Sequence, residues 1–303
     1  MVQAIDLFSN VTKCTIAWPH GRYGIQSFYK AAWNKFGPNL RSLKLTLTIR
    51  MFEVLALSSA EFEVIDELSI VIPSTMDAAL DHSRILSGPV ASFINGLAPR
   101  LRSFSLSSSK QNLDLSPLFT HMYSFPKLHR FSFFLRSFLP DTVSATIRRI
   151  LCDHADTIEH LEVVAHGFLK TWLTPWIQSN ASDSTFPTRL RSLELLVETD
   201  IKSVIEYARR SADTLTSLNL TGPYSMTYDE VYTLVKMFSH RPESQRLDTI
   251  GIRIDVLTPQ IIDVLASALP DLRELRLTVC NVASHDNVDP GPFTDMVTNL
   301  SFF

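Results

Sequence analysis

The feature that most constrains this chain is a short apolar motif that returns ten times. Its form is apolar-x-x-apolar-x-apolar, usually with another small or apolar residue two positions further on. Examples are Val11, Cys14, Ile16, Trp18; Leu40, Leu43, Leu45, Leu47; Leu190, Leu193, Leu195, Val197; and Leu272, Leu275, Leu277, Val279. The second anchors fall at 14, 43, 68, 104, 131, 161, 193, 218, 250 and 275, about 29 residues apart on average, with single steps of 25 to 36. Repetition at such a period marks a stacked array of small units. Alternation within each copy has a period of two, which predicts a strand with one buried face.

Between the motifs the period changes. Val143, Ile147, Ile150 and Leu151 follow helical spacing, as do Ile201, Val204, Ile205 and Ala208. Ser116-Pro117 and Thr258-Pro259 read as an N-cap followed by proline at the first helical position. Thr227 with Glu230 reads as a capping box. A strand, a helix and a strand again demand parallel pairing, because a tight hairpin cannot link them. One repeat cannot bury its apolar face alone, so repeats stack. Strands stand about 4.8 Å apart and helices roughly 8–10 Å, so the stack is expected to bend. The predicted fold is an α/β solenoid of about ten repeats spanning residues 1–303 as one domain, with a parallel sheet on the concave face and helices on the convex face. Neither end shows a recognisable cap, so a terminal strand edge is expected to drive self-association.

The phrases PNLRSLKLTL (Pro38 to Leu47), PDLRELRLTVCN (Pro270 to Asn281) and the aromatic helix FYKAAWNKF (Phe28 to Phe36) resemble the leucine-rich-repeat region of the large fungal, basidiomycete-type F-box family. The resemblance covers most of the chain and is one of pattern. It implies a leucine-rich-repeat-like solenoid that selects a substrate for ubiquitin transfer, without chemistry of its own. Two departures accompany it. The Asn or Cys usual just after the strand occurs only as Cys280, and Met1 leads directly into the first repeat with no F-box in view. A ubiquitin-ligase scaffold is therefore expected as a partner only if an F-box lies upstream. The competing expectation is a free-standing repeat scaffold or inhibitor that binds a protein and has no ubiquitin role. A third is an enzyme with an unrecognised site.

Composition narrows the partner classes. A net charge of -3 with scattered Lys and Arg argues against nucleic acid. No run of 18 apolar residues exists, which argues against a membrane span. Three cysteines more than a hundred residues apart suggest neither zinc nor a disulfide framework. With no signal-peptide pattern at the start, the expected location is intracellular, cytoplasmic or nuclear. The Asn-x-Ser/Thr sequons at Asn10, Asn180, Asn219 and Asn299 then carry no expectation of glycosylation.

Catalytic signatures are absent: there is no GxSxG, HExxH, GxGxxG or Walker loop. Cys152, Asp153, His154 and Asp156 form the nearest cluster. Residues two apart on a helix point apart, so it reads as a polar helix end with one core cysteine. His160 and His166 bracket a strand, some 20 Å apart by its rise, too far to share a metal. Gly21-Arg22-Tyr23-Gly24 reads as a repeat loop, and Trp172 and Trp176 with Phe168 and Leu169 as core. No cofactor, metal or catalytic residue is expected.

The alternate strand positions must face outward. The last of them in each repeat are Ala17, Thr46, Val71, Ser107, Phe134, Val164, Leu196, Thr221, Arg253 and Thr278. Phe134, Val164 and Leu196 would form an apolar stripe edged by Glu162 and Glu194, with Arg130 and His160 beyond. An apolar stripe rimmed by charge is a candidate docking site for a protein of unknown identity.

Overall fold

A computed structural model describes residues 10–18, 26–56, 62–74, 82–110, 113–138, 141–166, 187–198, 201–239, 241 and 246–282. It divides into two compact units, residues 1–158 and 159–303. The described strands number ten, all parallel, each with its side-chain alternation set by one copy of the motif. In the first unit they are β1 (Lys13–Trp18), β2 (Ser42–Leu47), β3 (Glu67–Ile72), β4 (Ser103–Ser108) and β5 (Arg130–Phe138). In the second they are β6 (His160–His166), β7 (Ser192–Leu196), β8 (Ser217–Thr221), β9 (Thr249–Leu257) and β10 (Glu274–Val282). Within each unit, neighbours in sequence are neighbours in space. This is the repeated strand–helix architecture of a solenoid.

Described helices of the first unit are α1 (Gln26–Phe36), α2 (Ile49–Ala56), α3 (His82–Ile85), α4 (Ala91–Leu97), α5 (Ser116–His121) and α6 (Asp141–Asp153). Those of the second are α7 (Ile201–Arg210), α8 (Tyr228–Lys236) and α9 (Pro259–Ala268). The inward residues of the motif are buried: Leu43, Phe104, Phe131, Leu161, Leu193, Leu218 and Ile250 are each no more than 1% exposed. Full burial of such a side chain is worth about 2 kcal/mol. Helix residues close over them. Phe119 of α5 meets Phe133 of β5 edge-on at 5.3 Å, and Tyr29 stacks on Trp33 within α1 at 5.7 Å. The aromatic helix quoted above thus turns Tyr29, Ala32 and Trp33 into the core and leaves Lys30 and Asn34 exposed.

One backbone device repeats with the motif. Before eight of the described strands, the preceding residue offers its carbonyl to two consecutive N–H groups of the next repeat. Thr12 accepts from Arg41 and Ser42, Arg41 from Asp66 and Glu67, Asp66 from Arg102 and Ser103, and Arg102 from His129 and Arg130, all at 2.8–3.0 Å. In the second unit Glu159, Arg191, Thr216 and Asp248 do the same for Arg191, Thr216, Asp248, Arg273 and the residues after them. The pairing satisfies the donors at each strand entrance and fixes the register of the next repeat.

Three expectations change. Trp18 of β1 is exposed at 36%, and Leu275, Leu277 and Val279 of β10 are half-buried rather than buried. An inward side chain is covered only where a neighbouring repeat stacks on it, and alternation alone does not report that neighbour. Ser116 is not a cap: Leu115 holds that position, and the Asp114 carboxylate accepts the Ser116 N–H at 2.8 Å. The other two starts form as read. Thr258 Oγ1 accepts from the Ile261 N–H at 3.3 Å, and Glu230 accepts the Thr227 N–H at 2.8 Å and its hydroxyl at 3.0 Å.

Candidate functional site

Opposite the helices each sheet is open, and its side chains are ordered by register. In the second unit one row runs across all five strands: Glu162 beside Glu194, Glu194 beside Asn219, Asn219 beside Gly251, and Gly251 beside Arg276. The row before it is His160, Ser192, Ser217, Thr249 and Glu274. Val164 and Leu196 each follow the paired Val163 and Leu195 by one residue and are half-buried, with Thr221 beside Leu196. The stripe residues of this unit are therefore together on one face and partly open to solvent.

The row is chemically graded. Burial is the chief reason that the Glu194 carboxyl is pushed up from the ordinary glutamate range; nearby Glu162 adds to the rise, while the Asn219 amide and the Arg276 guanidinium oppose it. Two carboxyls side by side cannot both ionise without cost, so this end of the row favours a cation. Gly251 leaves a gap in the middle. Asn219 Oδ1 lies over it, so close that a Cβ at 251 would overlap the amide oxygen. At the far end Arg276 donates to Glu274 at 2.7–2.8 Å. Beyond the apolar pair, His166 Nδ1 stands 2.7 Å from Glu198 Oε1.

The other proposed stripe residues stand in the first unit. Phe134 is half-buried and pairs in register with Ser107, and Arg130 is exposed beside Ser103. Around Phe134 the open face is small and neutral: Ser69, Ser105 and Ser132 form one row, Val71 and Ser107 the next.

The polar cluster at the end of α6 differs from its reading in one respect. Cys152 is half-exposed and not core. His154 is the buried member, 5% exposed, and its Nε2 accepts the Phe125 N–H at 3.1 Å. Burial lowers its pKa, with Asp153 acting weakly the other way. Gly21 to Gly24, Phe168, Leu169, Trp172 and Trp176 lie outside the described residues. Among the described residues, no group of three or more His, Cys, Asp or Glu side chains could hold a metal ion, and no helix is long and apolar enough to cross a membrane.

Sequence reading missed the polar half of the row, Asn219, Gly251 and Arg276. It also missed a small cluster of Arg253 on β9, Cys280 on β10 and Ser225 in the turn after β8: Ser225 Oγ lies 3.0 Å from Cys280 Sγ and accepts from Arg253 Nε at 3.1 Å. The Ser225 and Arg253 hydrogen bonds hold the exposed Cys280 thiol below its ordinary range, whereas burial pushes the Cys14 thiol up. The signal for the row was present as the register of adjacent motif copies. Comparison with known proteins gives no matching family model and no curated protein that matches the chain.

Proposed function

We propose that this chain is a non-enzymatic protein-interaction module, and that the second unit's open face holds the partner. The observation that carries this is the graded row Glu162–Glu194–Asn219–Gly251–Arg276 beside the half-open apolar pair Val164 and Leu196. A rigid parallel sheet presents these groups in fixed register, so little receptor ordering opposes binding. The carboxyl pair favours a partner that brings Lys or Arg beside an apolar anchor. Phe134 offers a half-buried apolar anchor on the first unit's face, with the exposed Arg130 beyond it. The resemblance of the repeats to the leucine-rich-repeat region of fungal F-box proteins supports substrate selection for ubiquitin transfer as the biological use. An intracellular setting, cytoplasmic or nuclear, belongs to the same reading.

The test is affinity purification with mass spectrometry from cells expressing the wild type, the pair variant Glu162→Lys with Leu196→Ala, and the control Ser69→Ala. A protein retained by wild type and control and lost from the pair variant supports the reading. Its retention by all three overturns the site. A ligase scaffold in the same complex supports ubiquitin transfer, and its absence favours the free-standing scaffold or inhibitor.

A further inference from the structure

The strand entrances of the two units carry different charge. In the second unit the repeated position holds Glu159, Arg191, Thr216, Asp248 and Arg273, and its charges pair: Arg191 Nε is 3.9 Å from Glu159 and Arg273 Nε is 3.8 Å from Asp248. Arg246 also pairs with Asp271 close by. In the first unit the same position holds Arg41, Asp66 and Arg102 on consecutive strands, so the two guanidinium side chains start about 10 Å apart with one carboxylate between them. Arg100 and Lys127, from the turns before β4 and β5, join them with Glu63 around a polar groove of about 380 Å³. Four cations thus face two carboxylates. Among the described residues no ion pair closes between them.

We propose that this groove binds a small soluble oligophosphate, an anion of one to three phosphate groups. Guanidinium forks give two parallel N–H donors to a phosphate, and three forks with one ammonium can share a multiply charged anion better than a singly charged one. The backbone ladder fixes the roots of Arg41 and Arg102, so the cations are gathered before any ligand arrives. The acids set the size limit. Asp66 and Glu63 interrupt the positive field, and Glu67 stands exposed next to Asp66, so between β2 and β4 carboxylates break the line of cations that an extended polyanion would follow. This site is independent of the open-face site.

The experiment is isothermal titration of the purified chain with tripolyphosphate and orthophosphate at low and at 0.5 M salt, as titrations of wild type and three variants. Tripolyphosphate should bind saturably, several-fold more tightly than orthophosphate, and weaken on adding salt. Arg102→Gln should weaken it at least tenfold with the melting curve unchanged. Asp66→Asn should tighten it several-fold, a gain that misfolding cannot imitate. Arg191→Gln, at the matching position of the second unit, should leave it unaltered. A phosphoserine peptide and a short RNA are the comparison ligands. The proposal fails if tripolyphosphate gives no saturable heat, if Asp66→Asn does not tighten binding, if Arg191→Gln weakens it as much as Arg102→Gln does, or if peptide or RNA binds more tightly than tripolyphosphate.

Discussion

The two units are built on the same repeat and bury the same kinds of side chain, but their exposed rows differ. On the first unit's open face the central row is Thr15, Lys44, Ser69, Ser105 and Ser132. On the second it is Glu162, Glu194, Asn219, Gly251 and Arg276. At the strand entrances the contrast runs the other way: the first unit has surplus cations in a groove, and the second has its charges paired. The inward residues answer to packing and cannot vary far without loss of the fold. The outward and entrance residues are not held by core packing, so they can differ between otherwise matching repeats, and the proposed binding sites lie at those differences.

The largest test is of the shared part. Leu193→Asp would place a carboxylate in the dry interior of the second unit, where Leu193 has no exposure. An unpaired buried charge costs several kcal/mol, about 4 or more. The variant should lose the protection of β6 to β9 in hydrogen exchange and melt far below wild type. An unchanged melting curve would mean that the strand's two faces have been exchanged by one residue.

Next in size is the test of the open faces. Leu196→Ala should weaken binding of a partner on the second unit by roughly 2 kcal/mol with the fold intact, because Leu196 lies outside the core. Phe134→Ala tests the first unit's face on the same scale. Glu162→Lys should act mainly on the association rate and its salt dependence. Ser107→Ala, beside Phe134 on the neutral face, should do nothing. If surface plasmon resonance found Ser107→Ala and Leu196→Ala equally harmful, the contrast between the faces would carry no functional meaning.

How much of this was legible follows from what a period can encode. Strand positions and inward faces could be read because burial imposes a period of two, and the helices because it imposes one of 3.6. Leu193 and Val163 fall where alternation puts them. Trp18 and Leu277 do not behave like the equivalent residues of inner strands, since their burial depends on a neighbouring repeat. The acidic pair Glu162 and Glu194 was visible because both motif copies carry Glu at the same step. Asn219, Gly251 and Arg276 continue the row with unlike residues, and only the register lines them up. The groove of Arg41, Arg100, Arg102 and Lys127 gathers residues from three turns, which no spacing along the chain announces. His154 gave no sign of being buried, because its role is to accept a backbone N–H 29 residues away.

Two side chains whose pKa burial shifts, His154 in the first unit and Glu194 in the second, should respond to pH in opposite senses. In the first unit burial is the chief reason that the His154 imidazole titrates below the ordinary histidine range. A depressed histidine favours the folded state while neutral, so its contribution is full above the unfolded value and is lost as pH falls through the folded one. Protonation also removes the acceptor for the Phe125 N–H. His154→Ala should cost about 1–3 kcal/mol at pH 7.5, the penalty of a buried donor left without a partner. The gap between variant and wild type in denaturant melts should narrow toward pH 5. A gap that stayed constant would show that the imidazole is not the group being titrated.

In the second unit the sign reverses, and the effect is the smallest. Burial first, and then Glu162, push the Glu194 carboxyl upward, with Asn219 and Arg276 restraining the rise. A raised acid favours the folded state while protonated. Its contribution is present below the unfolded value and is lost as pH rises through the folded one. Glu194→Gln holds the group neutral throughout. It should therefore match wild type in acid and melt slightly higher than wild type at neutral pH, so that the two curves of Tm against pH separate as pH rises. Glu162→Gln should produce part of the same separation, because it removes the neighbouring charge and leaves the burial of Glu194 in place. A basic partner bound on this face would reverse the balance, since a cation beside the pair favours the ionised form. Binding to the second unit should then release protons near the Glu194 pKa, whereas binding at Phe134 on the neutral face should not. Equal proton release at both faces, measured by calorimetry in buffers of different ionisation enthalpy, would remove the acidic pair as the feature that sets the two units apart.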